Sequence, residues 1–171
     1  MALFRKKLNQ EQCTGLLINL FCSRFEVEFV KVHKEILKLS GGDASYIFDD
    51  QRKERAQDLW IVCAALLSQM RQSGEAAAMT RYLLKTYSDS DSEYDQMTLV
   101  MSNAIVSSHK NDQNLFHNVT HEIFTKIYAG AEKYISCYPN QITKTYNISG
   151  IELASCLRGV DFLLKDFKVA S

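Results

Sequence analysis

Residues 16–39 read LLINLFCSRFEVEFVKVHKEILKL, and the choice between helix and strand is decided there. Ile18, Cys22, Phe25, Phe29, Val32, Ile36 and Leu39 return at alternating steps of four and three, which draws one continuous stripe down a helix. A rival pattern lies inside it, because Phe25-Glu26-Val27-Glu28-Phe29 alternates as a half-buried strand does. The alternation stops at Phe29 and the helical spacing does not, so the stretch reads as helix. Leu16, Leu20, Val27, Val30 and Leu37 fall outside the stripe and add apolar surface that one packing side does not need. Val27, Val30 and Leu37 are therefore the candidate contact residues for a protein partner or a second copy of the chain.

Working outward, the chain has few breakers. Pro139 is the single proline, and a proline costs a helix interior ~3 kcal/mol, so most of the sequence is free to be helical. Gly41-Gly42, Gly74, Pro139 and Gly150 divide it into helix-sized pieces. Gly41 and Gly42 end the first helix, and Tyr46, Ile47 and Phe48 make a packed loop. A second helix, about 53–72, holds Leu59 to Leu67 without a polar residue and is expected to be buried all round, with a partner for the indole N–H of Trp60. A third follows on Ala76, Met79, Leu83 and Tyr87, with Arg81 and Lys85 on its other side.

Ser90 and Glu93 have capping-box spacing and start a fourth helix on Tyr94, Met97, Met101 and Ala104. A fifth is expected over 115–137, with Phe116, Val119, Ile123, Ile127, Ala131 and Tyr134 inward and Pro139 closing the region behind it. Thr143, Thr145 and Tyr146 favour extended structure, so 141–148 reads as a connector with room for one short strand. Ser149 and Glu152 then form another capping box, which launches a final helix on Leu153, Leu157, Val160, Leu164 and Phe167. First and last helices share one period and are expected to be neighbours. The expectation is an all-α, single-domain bundle of about six helices spanning residues 1–171, with one long N-terminal helix.

Composition narrows function by exclusion. At 171 residues the chain can bury a full core, and its 20 basic and 20 acidic side chains cancel. Without a basic stripe no nucleic-acid partner is expected. The longest apolar run is less than half of the ~20 residues that cross a bilayer, so no membrane span is expected. Cysteines at 13, 22, 63, 137 and 156 stand singly, without a Cys-x-x-Cys pair, and read as reduced thiols of a cytoplasmic protein. The basic start and the Asn118 and Asn147 glycosylation patterns do not outweigh that reading, because the apolar run after Arg5-Lys6-Lys7 is interrupted and lacks a clear cleavage site.

His117 and His121 stand one helical turn apart, a spacing that lets two imidazoles ligate one metal ion, with His109 and Tyr128 in the neighbourhood. Neither is preceded at three residues by glutamate, as carboxylate-bridged metal bundles require, and Asn118 stands where a zinc hydrolase has its general base. Asp89, Asp91, Glu93 and Asp95 open like a calcium loop, but Tyr94 and Val100 take the positions that need glycine and glutamate. No nucleophile elbow, glycine-rich phosphate loop or cofactor motif is present. The reading is a non-enzymatic helical protein that acts through protein–protein contact or self-association, with a small-ligand or metal site at His117 and His121 as the alternative.

Overall fold

The computed structural model describes residues 6–71, 74–88, 95, 99, 121, 124–135 and 139–169. Its architecture is the all-α bundle with a long N-terminal helix. Helix α1 runs over Gln10–Ser40, 31 residues or roughly 46 Å of axis. Asn9 caps it: its side chain accepts from the Gln12 N–H at 2.7 Å while the Gln12 side chain accepts from the Asn9 N–H at 3.1 Å. At the other end Gly41 adopts φ 61°, and the N–H groups of Gly41 and Gly42 both reach the Leu37 carbonyl.

The buried face of α1 comprises Cys13, Thr14, Leu17, Phe21, Phe25, Glu28, Phe29, Val32 and Ile36. Phe25, Phe29, Val32 and Ile36 are thus core as the spacing predicts, whereas Ile18, Cys22 and Leu39 only pack against its margin. The strand alternative for Phe25–Phe29 is excluded, since all of it lies within α1.

A 3-10 helix over Ser45–Phe48 turns the chain back and buries Ile47. Helix α2, Asp50–Arg71, begins on an Asp49 cap that accepts from the Arg52 N–H at 2.8 Å. Its segment 59–66 is buried on every side, as an uninterrupted apolar run requires. The Trp60 indole finds its partner across the bundle, donating to the Phe21 carbonyl of α1 at 3.1 Å. Gly74 at φ 63° separates α2 from α3, Glu75–Ser88, which turns Met79 and Leu83 inward and Arg81 and Lys85 outward.

The proposed cap at Ser90 and the inward Met97, Met101 and Ala104 lie outside the described residues; Leu99, described singly, is exposed. Residues 121 and 124–127 are helical, and just beyond them one expectation fails. The helix does not continue to Cys137, because the chain turns at 128–130 with Gly130 at φ 92° before a short helix α4, Glu132–Ile135. That backbone angle suits glycine and breaks a helix.

The larger correction concerns 141–148. Helix α5 runs unbroken over Pro139–Asp166, so no connector, strand or new cap exists there. Pro139 is its first residue, where the missing N–H is no loss, and it opens a helix rather than closing one. Thr145, Tyr146, Ser149, Glu152, Leu153, Cys156, Leu157 and Val160 form one buried face along it. Burial against α1 overrides the extended preference of the threonines, and Ser149 spends its hydroxyl on a tertiary contact instead of a cap.

Helices α1 and α5 pack antiparallel, with Leu20 opposite Gly159 and Lys31 opposite Glu152. A Cβ at Gly159 would stand 2.8 Å from both Leu20 methyl carbons, so the Leu20 side chain would have to shift to admit one. A two-stranded parallel ribbon joins the ends of the described chain: β1, Lys6–Leu8, pairs with β2, Phe167–Val169, in the register Lys6 to Phe167 and Leu8 to Val169. It extends the α1–α5 contact beyond the helices and was not legible in the sequence.

Candidate functional site

The seam between α1 and α5 carries the most unusual chemistry of the fold. Glu28 points from α1 into the interior and is wholly buried. A buried carboxylate without partners is costly, so its surroundings must supply donors or keep it protonated. Both occur. Tyr128, held by the turn before Gly130, donates its hydroxyl to Glu28 Oε2, and Ser149 of α5 donates to Oε1. Burial pushes the Glu28 carboxyl up to about 7, against the lowering pull of the Ser149 and Tyr128 hydrogen bonds and with a further raising contribution from Glu152. The Tyr128 hydroxyl is itself pushed well above its ordinary value by burial and by Glu28, and stays a donor.

Glu152, one turn beyond Ser149, is the contrasting carboxylate. Its Oε1 accepts from Lys31 Nζ at 2.7 Å, and its Oε2 lies 3.7 Å from Arg24 Nη1, beyond hydrogen-bond reach and without a hydrogen-bond partner among the described residues. Lys31 and Arg24 are each about half exposed, so this pair sits at the mouth of the seam. Two carboxylates one side apart thus have different environments, one paired with cations and one among hydroxyls. The arrangement ties α1, the 128–130 turn and α5 together through one buried carboxyl.

The outer side of the same helix pair carries exposed apolar side chains. Val30 is 61% exposed, Val27 40% and Leu16 37%, on one stripe of α1, while Ile151 at 59% and Phe162 at 67% share one stripe of α5. Antiparallel packing sets Leu16 level with Phe162 and Val27 level with Ile151, and both stripes turn away from the core positions Phe25, Val32, Leu153 and Val160. Of the residues expected from the sequence, Val27 and Val30 belong to this surface. Leu37 is half-buried at the C-terminal end of α1 and is not among the large exposed apolar side chains. Ile151 and Phe162 escaped the sequence reading, because Ser155 and Arg158 occupy the positions between them on that stripe.

The histidine pair divides. His117 and His109 lie outside the described residues, while His121 is exposed and packs edge-on against Tyr146, ring centroids 5.1 Å apart. Tyr128 faces Glu28 rather than His121. No group of three metal-ligating side chains forms among the described residues. His33 stacks on Phe48 at 4.2 Å, and partial burial lowers its pKa. Cys22, Cys63 and Cys156 are free thiols, and Cys137 lies outside the described residues. Burial pushes the Cys156 thiol up to about 12 and raises Cys63 and Cys22 as well, the opposite of what a nucleophile needs. No described helix is long and apolar enough to cross a membrane.

No protein-family model, curated protein or solved structure matches the chain.

Proposed function

We propose that this protein is a non-enzymatic helical module that works by contact with another protein, a second copy of itself being the simplest case. The observation that carries the reading is the apolar surface shared by α1 and α5, where Val30, Ile151 and Phe162 are each more than half exposed on neighbouring stripes. Two antiparallel helices with an apolar outer flank are half of a four-helix bundle, and the missing half is another helical pair. Its ordered support favours this role, because the Glu28 hydrogen bonds and the Lys31–Glu152 ion pair hold the two helices in one register behind the flank. The buried free thiols of Cys63 and Cys156 suit a cytoplasmic location, which belongs to the same proposal.

Light scattering over a range of concentrations tests it together with the V30D and F162D variants. A concentration-dependent dimer that either variant dissociates supports the reading. A chain that is monomeric throughout, with the Val30, Ile151 and Phe162 side chains inaccessible to a soluble paramagnetic probe, would remove it. The metal alternative at His117 and His121 gains no support from His121, whose described neighbour is the Tyr146 ring.

A further inference from the structure

A recess of about 200 Å³ opens between the 3-10 helix, the first turns of α2 and the 124–130 segment, with a lining that shares no residue with the exposed α1–α5 side chains. Its lining divides into two chemistries. Ile47, Leu59 and Ile127 are buried and make an apolar floor, with Ala129 beside them. Arg52, Arg55 and Lys126 are exposed and make the rim. Lys126 comes from a segment far from Arg52 and Arg55 in sequence, so the tertiary fold brings it to the two arginines. Arg52, Arg55 and Leu59 share one face of α2 by their three-four spacing, which aims the two guanidiniums and the floor at the same space.

Tyr46 flanks this recess and extends its positive character. The Arg52 guanidinium carbon stands 5.3 Å from the Tyr46 ring centroid, and Lys133 Nζ stands 5.3 Å from it as well. Asp49 Oδ2 lies 3.4 Å from Arg52 Nε and orients that guanidinium. The recess thus sets cationic N–H donors at its rim around an apolar floor. A guanidinium carries five donors, more than one carboxylate neighbour uses, and recognises carboxylate and phosphate through paired N–H groups.

We infer that this recess binds a small organic anion, an oxyanion group carried on a short apolar or aromatic body. The head group meets Arg52, Arg55 and Lys126, and the body covers Ile47, Leu59 and Ile127. The volume lies below that of the ~300–1,000 Å³ sites that enclose drug-sized ligands, so the occupant is correspondingly small. The site is independent of the α1–α5 flank, and either proposal can fail without the other.

The test uses the full chain, isotope-labelled, with phenyl phosphate as probe and benzoate, inorganic phosphate and phenol as the comparison arms. Saturable amide shifts confined to 46–59 and 126–130 with phenyl phosphate or benzoate, and absent with phenol, support the site; the tighter of the two identifies the preferred head group. K126Q and R55Q should each weaken the probe about tenfold, the loss of one charge-assisted contact. Lys126 is exposed, so its variant keeps the test valid if R55Q fails to fold. Non-saturating shifts, equal binding of inorganic phosphate or phenol, or unchanged affinity in K126Q would overturn the inference.

Discussion

Ser149 of α5 donates its hydroxyl to the Oε1 of Glu28 in α1, a contact between two buried residues 121 positions apart. Tyr128 completes the set on the other oxygen, so three separate elements converge on one carboxyl. The consequences of that convergence can be measured.

Stability should fall as pH rises towards neutrality. The Glu28 carboxyl titrates near 4.5 when exposed and at about 7 in the fold, so the folded state holds a proton that the unfolded chain has already lost between those values. The stabilisation is full below 4.5, drains away between 4.5 and 7 and is gone above, a loss of about 3 kcal/mol from the difference of the two values at ~1.4 kcal/mol per unit. Urea unfolding at pH 5, 6, 7 and 8 reads it out. E28Q, which keeps the shape of the neutral carboxyl, should flatten the dependence; an unchanged slope in E28Q would assign the effect elsewhere.

Gly159→Ala should destabilise despite the better helix propensity of alanine. The added Cβ meets both Leu20 methyl carbons at 2.8 Å, and overpacking costs ~1–3 kcal/mol against a propensity gain of ~1 kcal/mol. A double-mutant cycle with Leu20→Ala isolates the clash: the pair should be more stable than the sum of the single changes predicts. Strict additivity would show that the two helices do not meet at this point.

Trp60 is the only tryptophan of the chain, fully buried and bonded to the Phe21 carbonyl. Its fluorescence should be blue-shifted and resistant to acrylamide in the native state. W60F removes volume and an N–H donor, and a loss of roughly 2–4 kcal/mol in chemical denaturation is expected. Quenching of the native protein at the rate of free indole would contradict this packing.

Val30→Asp and Phe162→Asp should leave the fold intact. Both side chains are more than half exposed, and exposed substitutions of this kind stay within about ±0.5 kcal/mol. Thermal unfolding of each variant in the monomeric concentration range checks it. A large loss in that range would mean that these residues serve the core rather than an outer surface.

Several features could be read from residue order because they depend on local periodicity. The four-three spacing of Phe25, Phe29, Val32 and Ile36 marked the helix and its buried face, Gly41 its end, and the unbroken run from Leu59 the enclosed second helix. The shared period of the first and last helices anticipated their contact. Val27 and Val30 could be named as surplus because a stripe that is already full identifies what lies outside it.

What the tertiary structure decided lies where distant groups change the meaning of a residue. Glu28 sits three residues after Phe25 and four before Val32, on the core face, yet a glutamate is ordinarily a surface residue until two hydroxyls from elsewhere enclose it. Thr145 and Ser149 looked like a strand former and a helix cap, since both are judged by local preference; burial along α5 outweighed that preference. The Arg52, Arg55 and Lys126 rim was likewise invisible, because linear order keeps Lys126 apart from the two arginines and only the folded chain brings them to one recess. Hydrophobic periodicity is encoded over a few residues and survives in the sequence. Desolvation and long-range pairing are properties of the folded interior, and exist only once the helices have met.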